Sequence, residues 1–102
     1  MIRVIATIEL AQGRRDHFLA VLRELVPKVL AEEGCLEYGP WVDLPTNIPA
    51  QPPARNNVVL VVEKWENIDV LEAHLMAPHM LEFRQTTEPI RVGVALQILE
   101  PA

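Results

Sequence analysis

The chain has 102 residues and a formal net charge of −5, and half of its residues are apolar. This length suits one domain that buries a core without disulfides or metal ions, so we expect a single domain over residues 1–102. Acidic and basic residues are interleaved, and the absence of a basic stripe argues against binding to nucleic acid or to a membrane surface. Cys35 is the only cysteine, which excludes an intramolecular disulfide and favours a reducing compartment.

No segment of the sequence is typical of secretion or membrane insertion. The start of the chain, Met1–Ile5, lacks a basic region followed by an apolar stretch, so we expect no signal peptide. Uninterrupted apolar runs such as Val58–Val62 are far shorter than the roughly 20 residues of a membrane-spanning helix. These features predict a soluble, cytoplasmic protein.

Hydrophobic periodicity predicts a strand and then a helix in the first third of the chain. Apolar residues alternate over Ile2–Leu10, which is the period of a strand with one buried face. After Gly13, apolar residues recur every three or four positions over Phe18–Leu30, which predicts an amphipathic helix. We expect Gly34 to end this helix, because glycine is favoured just beyond helix C-termini.

Two further strands are predicted on either side of a proline-rich loop. Apolar residues alternate over Leu36–Leu44, and Pro40, which cannot donate to a ladder, argues for an edge strand or a bulge. Residues 45–57 hold four of the nine prolines and are predicted to form a loop of a length that is often functional or flexible. Val58–Glu66 is the strongest strand, and its centre is apolar on both faces.

Two short helices and a closing strand complete the pattern. Asn67 is a favourable N-cap for a helix containing Leu71 and His74, and Pro78 is typical of the first turn of a second helix. Alternation over Val92–Ile98 predicts the last strand. The order of these elements predicts an α+β protein with the ferredoxin-like split βαβ arrangement, an antiparallel sheet with helices on one face.

The strand faces turned away from the helices are more apolar than a solvated surface requires. The apolar residues predicted on this second face are Ile5, Val58, Leu60, Val62 and Leu99. Because the helices already cover the first face, a second copy of the chain is the simplest cover for the second. We therefore predict a homodimer.

Ionisable residues between Glu63 and His79 are candidates for chemistry. Glu63 lies on a strand face that is otherwise apolar, so its carboxylate needs a partner or acquires a raised pKa. His74 is expected at the rim of the apolar stripe of its helix, and His79 beside Phe83 on the next helix. Histidine transfers protons near neutral pH, although each of these groups also fits a purely structural role.

Three motifs follow one another in this segment: Glu63-Lys64-Trp65-Glu66-Asn67, Leu71-Glu72-Ala73-His74-Leu75 and Pro78-His79-Met80. They resemble the signature of the antibiotic biosynthesis monooxygenase domain family, in particular its quinol monooxygenase branch. Glu32-Glu33-Gly34-Cys35 followed by Tyr38, and Ile98-Leu99-Glu100-Pro101, extend the resemblance over essentially the full chain. The resemblance implies a dimeric α/β barrel with a pocket in each subunit between the sheet and the helices.

The resemblance also implies a reaction and the residues that carry it. Relatives oxygenate hydroxylated aromatics or quinols with O2 and without metal, flavin or haem, so we expect no cofactor. The expected catalytic residues are His74 and His79, as base and hydrogen-bond donor. The expected substrate-binding residues are Tyr38, Glu63, Trp65, Phe83 and Arg84. We expect no metal site, because a His-x4-His pair across a proline is not a usual ligand spacing.

Haem-degrading relatives share the fold, but this chain lacks their determinants. Ala6, His74 and Arg84 stand where those relatives are expected to have an asparagine, a tryptophan and a histidine ligand. The leading hypothesis is therefore a cofactor-independent monooxygenase that uses O2 on a quinol-like or phenolic substrate. The alternatives are a non-oxygenating isomerase or small-metabolite-degrading enzyme on the same scaffold, and a non-catalytic ligand-binding dimer module.

Overall fold

The computed structural model describes residues 1–102 and contains a four-stranded antiparallel sheet with helices packed on one face. The elements in chain order are β1 (Ile2–Leu10), α1 (Arg15–Leu30), β2 (Cys35–Trp41), β3 (Val58–Trp65), α2 (Ile68–Leu75), α3 (Pro78–Thr87), a 3-10 turn (Glu88–Ile90) and β4 (Arg91–Leu99). The strands lie in the order β2-β3-β1-β4 across the sheet. This is the ferredoxin-like split βαβ arrangement, so the predicted fold class is confirmed.

The central strands β1 and β3 place the core on the helix-covered face of the sheet. Val4 is paired with Glu63 and Ala6 with Val61, and residues paired in this way point to the same face. The helix α1 packs against this face, and Phe18 is completely buried there. Truncation of such a phenylalanine to alanine costs about 3–5 kcal/mol in typical cores.

The turn and capping residues predicted at the starts of the helices have the expected conformations and contacts. Gly13 has a positive φ of 77° in the turn before α1, a conformation that glycine adopts without steric strain. The side chain of Asn67 accepts a hydrogen bond of 3.1 Å from the backbone N–H of Val70, which caps α2. Pro78 is the first residue of α3, where its missing N–H has no helical partner to lose.

Two predicted boundaries are wrong. The strand β2 ends at Trp41 rather than at Leu44, because its ladder with β3 stops where Trp41 is paired with Leu60. The edge position predicted from Pro40 is confirmed; the register shift of this strand lies between Cys35 and Glu37, and Pro40 itself is regularly paired with Val61. The helix α1 ends at Leu30, and Gly34, with φ of +79°, lies in the turn that leads into β2.

The connection between β2 and β3 contains no helix or strand, in agreement with the predicted loop. Its two ends are joined by an ion pair between Asp43 and Arg55. The Asp43 carboxylate accepts hydrogen bonds from the Arg55 backbone N–H at 2.9 Å and from the Arg55 Nε–H at 2.8 Å. Arg15 of α1 donates to the carbonyl of Arg55 at 3.1 Å, which fastens the closed base of the loop to the body of the protein.

The face of the sheet opposite the helices has an apolar centre. Ile5 is paired with Val62, and Leu60 with Trp41, so these side chains share this outer face. Trp41 is 65% exposed, which is unusual for so large an aromatic side chain on a surface that faces water. In addition, no helix is both long enough and apolar enough to cross a membrane.

Candidate active site

A cavity of about 300 Å³ opens between the sheet and the helices α2 and α3. Its apolar walls include Ala6, Ile8, Val61, Met80, Phe83 and Leu96. Its polar wall consists of Tyr38, Glu63, His74, Arg84 and Arg91. A mostly apolar cavity with a few converging polar groups is the usual form of a small-molecule site.

His74 is held in this wall by the carboxylate of Glu32, which lies in the turn between α1 and β2. Its Nδ1–H donates to Oε2 of Glu32 over 2.8 Å. The other ring nitrogen, Nε2, makes no hydrogen bond. All fully buried polar side-chain atoms have hydrogen-bond partners, so Nε2 is not one of them and retains some accessible surface. The side chain is only 1% exposed, deeper than the rim position predicted, because the helix packs its stripe edge onto β3.

His79 contacts the same carboxylate oxygen from another direction. Its Nε2–H donates to Oε2 of Glu32 over 2.7 Å, and its side chain is 23% exposed. His79 does not line the cavity that His74 lines; it lies in a shallow surface depression beside Phe83. The structure therefore links the two histidines through Glu32, a residue to which the sequence analysis gave no role.

Burial keeps His74 in its neutral form near physiological pH. Burial is the largest cause that lowers the pKa of His74, and the hydrogen bond to Glu32 opposes it. Electrostatic interactions with His79 and Arg84 lower the pKa of His74 further. With its Nδ1 proton committed to Glu32, neutral His74 presents an unprotonated Nε2, which is the form of a general base.

Glu63 lies on the same wall and has both properties expected from the sequence. Its Oε1 accepts a hydrogen bond of 2.9 Å from Nε1–H of Trp65. Burial raises the pKa of Glu63 to about 7, and the negative charge of Glu32 adds to the rise. The Glu63 carboxyl is thus partly protonated near neutral pH and is able to donate a hydrogen bond into the cavity.

Two aromatic residues, Tyr38 and Trp65, lie next to His74 and have different positions relative to the cavity. Tyr38 lines the cavity, with its ring centroid 5.6 Å from that of His74. Burial raises the pKa of Tyr38, so its phenol keeps its proton. Trp65 is fully buried and does not line the cavity; its ring lies 4.6 Å from the His74 ring and fixes the imidazole from behind. Trp65 therefore supports the site rather than forming a wall for a planar ligand.

The remaining expected residues, Phe83 and Arg84, both line the cavity. Phe83 packs edge-on against Phe18 of the core, with 5.6 Å between ring centroids. Arg84 donates to the carbonyl of Leu75, the last residue of α2. Arg91, which the sequence analysis did not single out, lines the same cavity from the start of β4.

Glu32, His74 and His79 also meet the basic requirement for a metal site. Their ligand atoms lie within 4.8 Å of one another, and imidazole with carboxylate is a donor set that suits zinc. The spacing of the two histidines argued against a metal site, but the fold brings the Glu32 carboxylate to both of them. The two hydrogen bonds to Glu32 already satisfy the three groups without an ion.

Comparison with known protein families assigns the chain to a class. The sequence profile of the family described as "Antibiotic biosynthesis monooxygenase" matches residues 1–86. The chain belongs to this family, and the assignment supports a monooxygenase activity on a small molecule.

Individual relatives agree with the family assignment. The chain is 38% identical over 103 aligned positions to the Escherichia coli K12 protein named "Probable quinol monooxygenase YgiN", covering 99% of this chain and 98% of the relative. Among solved structures, PA3566 from Pseudomonas aeruginosa is 28% identical with a TM-score of 0.81, covering 99% of this chain and 93% of that one. Rv0793 from Mycobacterium tuberculosis, 22% identical with a TM-score of 0.81 and coverage of 99% and 94%, shows the same fold.

Proposed function

We propose that this protein is a cofactor-independent monooxygenase that uses O2 to oxygenate a quinol-like or phenolic aromatic substrate in the cavity beside His74. One observation carries the proposal: a buried histidine that is oriented by a carboxylate lines a largely apolar cavity, and one of its ring nitrogens has no hydrogen-bond partner. The family membership and the name of the Escherichia coli relative support the same reaction class.

The first step is removal of the proton from a substrate hydroxyl by Nε2 of His74. The imidazolium formed in this step is stabilised by the Glu32 carboxylate, which already accepts the Nδ1–H. The lowered pKa of His74 keeps the base form available at neutral pH. The product of the step is an electron-rich phenolate, held in a cavity from which most water is displaced.

In the second step the phenolate reduces O2 itself. One electron passes from the ring to O2, and the resulting radicals combine to form a carbon–oxygen bond at a ring carbon that carries hydrogen. The adduct loses water to give a quinone, so one oxygen atom enters the product and the other leaves as water. This balance requires no external reductant, and the protein contributes proton transfer, orientation and hydrogen-bond donors.

Two side chains in the wall are suited to donate to the developing oxygen anions. Tyr38 keeps its phenolic proton, and Glu63 is partly protonated near neutral pH. In a dry cavity such donors stabilise charge more strongly than water does. We assign Phe83 to the wall that holds the aromatic ring, Arg84 to balancing the substrate anion and His79 to orienting Glu32.

The test is oxygen uptake by purified, chelator-treated protein with reduced naphthoquinols, measured against a matched protein-free autoxidation control. We expect clear acceleration, retained in the presence of EDTA. His74→Ala should lower kcat by about 10²–10⁴-fold, the usual contribution of a general base. His17→Ala is the matched control, because His17 is exposed on α1 and outside the cavity. If oxygen uptake is no faster than autoxidation with any of several quinols and phenols, the proposal is refuted.

An isotope experiment separates oxygenation from a non-oxygenating reaction on the same scaffold. With ¹⁸O-labelled O2, a monooxygenase places one labelled atom in the product. An isomerase or hydrolytic enzyme using the same histidine turns over without O2 and leaves the product unlabelled. Turnover that persists under anaerobic conditions therefore contradicts the oxygenase reading.

We further propose that the protein acts as a homodimer joined through the outer face of the sheet. The apolar residues Ile5, Leu60 and Val62 form the centre of this face, and Trp41 stands exposed beside them. Charged residues, including the Arg3–Glu37 ion pair of 2.9 Å, lie at one end. An apolar centre with a polar rim is the usual composition of a subunit interface.

A further inference from the structure

Two arginines meet at one part of the cavity wall that is otherwise almost entirely apolar. Arg84 comes from the middle of α3, and Arg91 is the first residue of β4. Nearby walls are formed by Leu75, Phe83 and Val94. A guanidinium stays charged at every physiological pH, so this part of the cavity carries a permanent positive potential.

Neither guanidinium has an acidic partner in the protein. Every hydrogen bond that Arg84 and Arg91 donate goes to a neutral oxygen. Arg84 donates to the Leu75 carbonyl, whereas Arg91 donates to the Arg84 carbonyl at 2.7 Å and to the Thr87 hydroxyl at 3.0 Å. The arginine–carboxylate ion pairs of the chain involve Arg3 and Arg55 instead.

The same hydrogen bonds hold the two guanidinium groups in place while leaving most of their N–H donors free. Thr87 is itself completely buried and donates to the Phe83 carbonyl at 2.8 Å, so its oxygen is a fixed acceptor for Arg91. A pair of positioned guanidinium groups with free N–H donors is a good receptor for a carboxylate, which accepts two parallel hydrogen bonds. Glu63 does not fill this role, because its environment is set by Trp65 and Glu32 and by neither arginine.

The arginines are also close enough to His74 for one ligand to reach both. His74, Arg84 and Arg91 all line this one cavity, so a ligand that fills it contacts both the imidazole and the arginines. The cavity volume of about 300 Å³ suits a ligand of one or two aromatic rings.

We propose that the preferred substrate is a hydroxylated aromatic acid, whose carboxylate is bound by Arg84 and Arg91 while its ionisable hydroxyl faces His74. This inference rests on the proposed function for the role of the hydroxyl, but the carboxylate subsite is defined by the arginines alone. A neutral quinol fills the apolar part of the cavity and leaves both cations without an anion, so it binds more weakly.

The test compares two probes of nearly equal shape under anaerobic conditions, 6-hydroxy-2-naphthoic acid, whose hydroxyl and carboxylate lie at opposite ends of the ring system, and its neutral amide. Isothermal titration should give at least about tenfold tighter binding of the acid, as expected for charge-assisted hydrogen bonds. Arg84→Gln and Arg91→Gln should each reduce this preference severalfold. Arg23→Gln, which removes the same charge from an exposed position on α1, should leave the preference unchanged.

A conservative variant separates ligand binding from a purely structural role of Arg91. Arg91→Lys keeps the charge and should retain part of the preference for the acid, whereas damage to the fold would weaken the binding of both probes alike. Near-UV circular dichroism and thermal unfolding establish that each variant is folded.

The outcomes also distinguish this inference from the proposed function. Equal affinity for the acid and the amide, binding of neither probe, or an unchanged preference in both glutamine variants overturns the carboxylate subsite. Selective binding of the acid without any oxygen uptake upholds the subsite and refutes the monooxygenase. Oxygenation of neutral quinols without selectivity for the acid upholds the monooxygenase and refutes the subsite.

Discussion

The oxygen atom that organises the site is Oε2 of Glu32, which accepts hydrogen bonds from both histidines. Because a carboxylate can only accept, the contact fixes the Nδ1–H tautomer of His74 and leaves Nε2 free for the substrate. Glu32 therefore acts through His74, as a positioning residue.

We predict that Glu32→Gln lowers kcat at least about tenfold, because the amide stabilises the imidazolium less than a carboxylate does. Glu32 raises the pKa of His74, so its replacement should also move the acidic limb of the kcat/KM profile to lower pH. The measurement is a full pH–rate profile, with the exposed neighbour Glu33→Gln as the matched control. An acidic limb that stays in place would show that Glu32 does not influence the catalytic base.

Glu63 makes the stability of the protein depend on pH. Its folded-state pKa of about 7 lies above the ordinary value of 4.5. Ionisation therefore destabilises the fold, and the stability conferred by the neutral form, complete below about pH 4.5, is lost as pH rises through about 7. We predict that Glu63→Gln unfolds at nearly the same temperature as the wild type at low pH and is more stable at alkaline pH, by up to about 3 kcal/mol.

The glutamine variant is a clean comparison, because its amide oxygen still accepts the Trp65 N–H. Urea unfolding of both proteins across the pH range measures the difference directly. A constant difference in the free energy of unfolding would mean that Glu63 titrates normally in the folded protein.

At the same scale, sequence reasoning found part of the site and missed part of it. Strand alternation placed Glu63 on a buried face, and helix periodicity brought His74 near the cavity. Glu32 lies 42 and 47 residues from its two histidines, and no local pattern reports a contact at that separation. Arg91 was missed for a similar reason, since an arginine at a strand start is usually solvated.

Among the elements, the turn between α1 and β2 determines how the helix carrying His74 meets Glu32. Gly34 lies in this turn with φ of +79°, and its carbonyl accepts the backbone N–H of Glu66 at 3.0 Å. A Cβ at Gly34 would lie 2.7 Å from a methyl of Val70 in α2. The turn and α2 are therefore in direct contact, and a side chain at this position has no room.

We predict that Gly34→Ala destabilises the protein by at least about 2 kcal/mol, through the left-handed backbone and the collision with Val70. Val70→Ala should recover part of this loss, which a double-mutant cycle of urea unfolding measures. Gly39→Ala is the matched control, because a Cβ there meets open space, and its effect should stay within about 0.5 kcal/mol. Equal effects at the two glycines would contradict the packing described here.

The elements themselves were largely predictable, because their signals are local. Alternation, the Asn67 cap and the proline at the start of α3 each depend on neighbouring residues only. The end of β2 depended instead on where its ladder with β3 stops. Alternation continues to Leu44, but the pairing ends at Trp41, opposite Leu60, and the sequence of β2 alone does not report this.

At the scale of the whole molecule, one side of the sheet is covered by helices and the other is not. The strand β4 is the second sheet edge, and its cavity-lining residues Val94 and Leu96 remain 52% and 43% exposed. The cavity is thus open toward β4.

We predict that the protein elutes with twice its chain mass of 11.5 kDa when measured by light scattering at micromolar concentration. Leu60→Glu, which places a charge at the centre of the outer face, should shift the mass toward the monomer. Leu81→Glu introduces the same charge at an exposed position on α3 and should leave the mass unchanged. A monomeric wild-type mass would reject the dimer.

The ion pair between Asp43 and Arg55 has a practical consequence for engineering. It holds the two ends of the β2–β3 loop together, so the intervening residues span a gap that is already closed. Lengthening such a loop raises the free-energy cost of closing it only slightly, by about 0.6 kcal/mol for each doubling of its length. A peptide tag or a small folded module inserted near Ile48, which is exposed, should leave the sheet and the cavity intact. The loop thus offers an internal attachment point for immobilising the protein with both chain ends free.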